Sequence, residues 1–142
     1  MRVLGVDFGR KRVGVAVSDP TGTIATPLET LTRRAGRRAP IARLESLGRE
    51  LGVEHVVVGL PLDLSGEETD WSAEVRRAGE RLAERLGVGV SFVDERFSSV
   101  RAERAVRSLG LPRSERERKE RVDAAAAQLI LQAWLDSPEV AR

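Results

Sequence analysis

Carboxylates stand at three places in this sequence where they could do chemistry: Asp7 at the end of an apolar run, Asp94-Glu95 at the end of another, and Asp123 near the last helical repeat. Asp7 is the anomaly. The stretch VLGVDF reads as a fully buried strand, so an ionised carboxylate there needs a metal, a hydrogen-bond donor or a cation. The chain has no cysteine and one histidine, which excludes disulfides, thiolate zinc sites and a cysteine nucleophile. His55 lies at the edge of the apolar stretch EHVVVGL, where a structural role is expected of it. Oxygen ligands without histidine or cysteine suit Mg²⁺ or Mn²⁺. Two such ions can clamp the attacking and leaving oxygens of an in-line phosphoryl displacement. The same residues have blander roles available, Asp94 and Asp123 as helix caps and Asp7 as a buried acceptor, and spacing alone leaves both readings open.

Cations stand beside these carboxylates. Arg10 and Lys11 follow Asp7, and Arg96 follows Glu95; all three could hold substrate phosphates, and Arg96 could equally pair with Asp7. Gly9, Gly59 and Gly66 would let a phosphate approach the backbone closely, although glycine after a strand also serves as a simple turn. The net charge of +2 is too small to imply nucleic acid, but nine basic residues against four acidic ones lie between Arg96 and Arg121. Arginine dominates there, and its planar fork suits phosphate. A solvated helix face laced with Glu–Arg pairs would read the same way. With no tyrosine and 4% aromatics, a base-stacking surface of the single-strand-binding type is not expected.

Placing these residues requires a sheet. Val3 to Phe8 and Val13 to Val17 flank Gly9-Arg10-Lys11-Arg12, which predicts a hairpin with a charged turn. Asp19-Pro20-Thr21-Gly22 predicts a turn into a short third strand, Thr23 to Thr26. The arginine-rich stretch Thr32 to Ala39 reads as a mobile or substrate-facing loop. Pro40 opens a helix striped by Ile41, Leu44, Leu47 and Leu51 and closed by Gly52. Glu54 to Leu60 reads as a central buried strand. Asp70 is expected to cap a second helix, with Gly87 after it and Trp71 in the core. Val88 to Val93 predicts another buried strand, followed by a helix carrying Val100, Ala105, Val106 and Leu109. The last helix carries Val122 to Trp134, Trp134 being a core residue. Either Ser114 with Glu117 caps it early, leaving Asp123 inside, or Asp123 sits in its first turn.

The resulting order, β-β-β-α-β-α-β-α-α, makes an α/β fold with a mixed five-stranded sheet, three antiparallel strands then parallel strands, flanked by helices. Sites in such sheets form outside the carboxyl ends of the strands, where Asp7, the Gly59 loop and Asp94/Glu95 all fall. The length of 142 residues predicts one domain, residues 1–142, without an internal boundary. No run approaches a membrane span. The first strand begins at residue 2, so no targeting peptide is expected and a cytoplasmic protein is.

VDFGRKRVGVAVSD, VVVGLPLDLSG, FVDERFSS and RVDAAAAQLIL match in order and spacing the pattern of the YqgF/RuvX family, over nearly the whole chain. The resemblance implies an RNase H-like fold similar to RuvC-type junction resolvases, and a nuclease. Two roles go with it: processing the 5′ end of precursor 16S ribosomal RNA, and resolving Holliday junctions as a homodimer. It implies Asp7, Glu95 and Asp123 as metal-binding catalytic carboxylates, Asp94 being the less certain neighbour. Departures occur at two places. Where the family commonly has a lysine just before the third acidic position, this chain has Arg121, with Lys119 two residues earlier; both are candidate substrate contacts. The loop near Gly66 reads LDLSG, where an asparagine and Met-Asp-Gly are more usual. The expected function is a metal-dependent endonuclease acting on structured RNA or branched DNA. The alternative is a non-catalytic, ribosome- or transcription-associated RNA-binding module. An actin-like sugar kinase, which Asp7-Phe8-Gly9 also suggests, would need a second half that 142 residues do not supply.

Overall fold

The structure, a computed structural model, describes residues 1–33, 38–95 and 115–137, with side chains in the last segment from Ala124 onward. Eight elements follow one another: β1 (Val3–Phe8), β2 (Arg12–Ser18), β3 (Ala25–Thr32), α1 (Ile41–Leu51), β4 (His55–Leu60), α2 (Asp70–Leu86), β5 (Gly89–Asp94) and α3 (Glu115–Leu135). The expected helix over Val100 to Leu109, with Arg96 before it, lies outside the described residues.

The five strands form one mixed sheet in the order β3-β2-β1-β4-β5. β1 pairs antiparallel with β2, and β2 with β3; β1 pairs parallel with β4, and β4 with β5. The carboxyl ends of β1, β4 and β5 therefore share one edge. Alternation along each strand sorts side chains between two cores. Leu4, Val6, Phe8, Val56 and Val58 pack under α1 and α2 with Leu44, Val75 and Leu82. On the opposite face Val3, Val57 and Ala16 pack with Ala127, Ile130, Leu131 and Leu135 of α3. Gly5 belongs to that second face, and a Cβ there would stand 2.8 Å from Leu131 Cβ, so α3 lies close against the sheet.

Four expectations are revised. The third strand is Ala25–Thr32, not Thr23 to Thr26. The Asp19 carboxylate accepts hydrogen bonds from the Thr23 and Ile24 amides and holds them in the turn, and the edge position accommodates Pro27. The cap of α2 is Thr69, not Asp70: extended Thr69 and Ser72 form a reciprocal capping box, leaving Asp70 in the first turn where the helix dipole favours a carboxylate. β5, expected to be buried, is the half-buried edge of the sheet. Trp71 is half-buried and lies beneath two guanidinium groups, Arg10 at 4.4 Å and Arg33 at 5.4 Å from the ring centroid. α3 starts at Glu115, so Asp123 lies inside that helix and not in its first turn. Among the described residues no helix is long and apolar enough to cross a membrane.

Candidate active site

β1 ends in Asp7-Phe8, and the pleat sends the two side chains to opposite faces: Phe8 joins the core under α1 and α2, Asp7 faces α3. Asp7 is only 9% exposed. Two strands away, β5 places Phe92 under α2 and Val93 on the α3 face, and Glu95 follows the strand. Glu95 reaches Asp7, and the two carboxyl groups are hydrogen-bonded to each other. Burial raises the Glu95 pKa above the usual glutamate range, the nearby Asp94 charge adds to the rise, and the Asp7 contact opposes it. Asp94 closes β5, and Glu95, one residue on, meets Asp7.

Gly59, in the strand between them, makes this meeting possible. A Cβ at Gly59 would lie 2.5 Å from Ile130 Cδ1 and 3.3 Å from Glu95 Oε2. The missing side chain lets α3 and the Glu95 carboxyl close over β4. Gly59 is buried, and its missing side chain serves this packing. Gly66, with φ of 88°, turns the loop after β4, and Asp63 pins that turn by accepting from the Ser65 and Glu67 amides. Lys11 is exposed in the β1–β2 turn, and its carbonyl accepts the Arg33 amide at 2.8 Å. Arg10 stacks on Trp71, on the side of the sheet away from Asp7. Asp123 lies one helical turn before Ala127, and Lys119 and Arg121 lie earlier on α3; Arg96 falls outside the described residues. His55 sits at the opposite end of β4, hydrogen-bonded to Ser91 Oγ at 2.8 Å and stacked on Trp134 at 4.8 Å, which bears out its structural reading.

Two carboxyl groups in contact share a proton or a cation, because both cannot stay ionised at that separation in a buried place. Their oxygens are hard donors, which fits Mg²⁺ or Mn²⁺. Among the described residues no group of three or more histidine, cysteine, aspartate or glutamate side chains gathers to hold a metal. The feature that sequence reasoning missed is Trp71 and its arginines. A partial signal was Arg77 and Arg81, one helical turn apart beside the apolar stripe of α2.

The sequence model of the RuvX family, described as Holliday junction resolvase, matches residues 1–137. A protein of Myxococcus xanthus named "Putative pre-16S rRNA nuclease" is 42% identical over 137 residues, covering 96% of this chain and 89% of its own. One of the same name from Chloroflexus aggregans is 43% identical over 135 residues, covering 95% and 93%. Among solved structures, T. thermophilus RuvC in complex with a Holliday junction substrate superposes with a TM-score of 0.58 at 20% identity, covering 95% of this chain and 94% of that one. The RuvC structure alone gives 0.57 at 21% identity. That likeness identifies the fold as RNase H-like.

Proposed function

The chain belongs to the RuvX family, and from that premise we propose that it is a metal-dependent endonuclease, with Asp7, Glu95 and Asp123 holding Mg²⁺ or Mn²⁺ and structured nucleic acid as substrate. The observation that carries this reading is the contact between the Asp7 and Glu95 carboxyl groups at the carboxyl edge of the sheet. A buried acid pair is costly as structure, and a divalent ion in place of the shared proton gives it a purpose. The direction of α3 supports Asp123 as the third acid. Val3 shares a core with Leu135, and Gly5 abuts Ala127 and Leu131, so α3 runs back along β1 and its earlier turns approach the Asp7 end.

The bound ion would polarise the scissile phosphodiester and lower the pKa of a water. Asp7 and Glu95 would hold it in place of the proton they share, so activity is expected to rise with pH as the Glu95 carboxyl, whose pKa burial raises, gives up its proton. Lys11, in the turn beside Asp7, supplies positive charge to substrate phosphates, a role to which Arg96, Lys119 and Arg121 are also assigned by their places in the sequence. The names of the relatives point to precursor 16S ribosomal RNA, and the description of the family to a four-way DNA junction. A four-way junction cut symmetrically would require two copies of the chain.

The test is cleavage of a precursor 16S RNA fragment and of a four-way DNA junction, side by side, with Mg²⁺ or Mn²⁺, by wild type and Asp7→Asn. Metal-dependent cutting by wild type that Asp7→Asn lacks, with binding retained, is the expected result. Equal cutting by both proteins refutes the site, and binding without cutting by either favours the RNA-binding module.

A further inference from the structure

Behind the carboxylates, on the other face of the same sheet edge, lies a cavity of about 410 Å³ between the β1 end, the start of α1 and α2. Its wall is partly apolar, from Phe8, Ile41, Trp71 and Ala78, and partly basic, from Arg33, Arg38, Arg77 and Arg81. Glu74 is the acid among its lining residues, 3.6 Å from Arg33. Arg38, Arg77 and Arg81 are exposed. Arg10 adds a further guanidinium over Trp71.

A guanidinium stacked on an indole is held by its face, while its N–H groups, which lie in its plane, remain directed outward. Trp71 thus steadies Arg10, while Arg33 is also held by the Gly9 carbonyl and Glu74, and the exposed Arg38, Arg77 and Arg81 bring positive charge to the cavity lining. An inorganic anion would have no use for the apolar wall, and a neutral ligand none for the arginines. A flat apolar body carrying a phosphate uses both, and the volume lies within the range of small-molecule sites.

We propose that this cavity binds a nucleoside phosphate, its base against the Phe8–Ile41–Ala78 wall and its phosphate on the exposed arginines Arg38, Arg77 and Arg81. The proposal rests on the nucleic-acid reading only for the source of that group, which is either one unpaired nucleotide of the substrate strand or a free nucleotide. Asp7 and Phe8 are consecutive residues on opposite faces, so a strand crossing the sheet edge meets the carboxylates on one side and this cavity on the other.

Trp71 fluorescence tests this in a Trp134→Phe background, without divalent metal, titrated with adenosine 5′-monophosphate, inorganic phosphate and a short single-stranded oligoadenylate. Calorimetry on the unaltered chain with the mononucleotide gives the same affinity independently of folding in the reporter variant. The mononucleotide is expected to change the Trp71 signal at concentrations where phosphate does not. Arg77→Ala/Arg81→Ala weakens it about tenfold or more, as when charge-assisted hydrogen bonds to phosphate are removed. Competition by the oligoadenylate identifies the strand as source, and its absence the free nucleotide. No response to the mononucleotide, an equal response to phosphate, or an unchanged affinity in the arginine variant overturns the proposal. None of these readings involves cleavage, so the nuclease reading stands or falls separately.

Discussion

The two faces of the sheet meet at one edge and are built on opposite principles. On the α3 face glycines in the sheet, Gly5 and Gly59, let Leu131 and Ile130 of α3 come close, and two acids are pressed together beneath that helix. On the α1/α2 face larger side chains fill the core, and its open end is lined by arginines and a tryptophan. The close approach of α3 keeps the acids from solvent where an ion can replace a proton; on the other face an open cavity leaves room for an anion. A difference of one residue, Asp7 against Phe8, separates them.

The largest break in this contrast is expected from Asp7→Asn. Removing a carboxylate proposed as a metal ligand is expected to cost more than the ~10- to 100-fold that follows from removing the neighbours of metal ligands. The measurement is single-turnover cleavage, with substrate affinity unchanged in a filter-binding assay. On the opposite face, Arg77→Ala/Arg81→Ala leaves the metal requirement alone. If the cavity takes a nucleotide of a strand, the variant lowers the slope of log affinity for single strands against log salt by roughly 0.7 for each phosphate that is no longer neutralised. Gly59→Ala affects packing before chemistry. Its Cβ, 2.5 Å from Ile130 Cδ1, forces α3 or Glu95 to shift and lowers unfolding free energy by about 1–3 kcal/mol, read by urea denaturation. The smallest effect belongs to His55, far from both sites. Burial holds its pKa below the ordinary 6.5, so the unfolded chain takes up a proton that the folded chain resists. Stability therefore falls as pH drops from neutral through 6.5 and towards the lowered value, and His55→Gln flattens that slope in thermal unfolding.

Much of the carboxylate face was legible from the residues alone. Asp7 stood out because an acid inside VLGVDF has no cheap structural excuse, and the parallel strand ends followed from apolar runs separated by helices. The choice between Asp94 and Glu95 was harder, since it depends on how the chain leaves β5 and on which side α3 packs. The arginine face was hidden for a different reason. Trp71 satisfied the apolar stripe of α2, so periodicity assigned it to the core, and the low aromatic content argued against a base-binding surface. Only the fold brings Arg10 and Arg33, distant in sequence from Trp71, over its ring. The Thr69 cap and the length of β3 were missed because short polar residues offered two neighbouring solutions, and backbone amides donating to the Ser72 and Asp19 side chains chose between them.

The alternation that separates Asp7 from Phe8 also sets which genetic changes this chain can absorb. Substitutions along β1 alter one face at a time, whereas deleting a single codon between Gly5 and Asp7 would exchange the faces, turning the acid toward the arginines and the phenylalanine toward Glu95. Variation in length should consequently be confined to the turns and loops, and a deletion scan across residues 3–8 should read as a sharp gap in tolerated positions even where substitutions are mild.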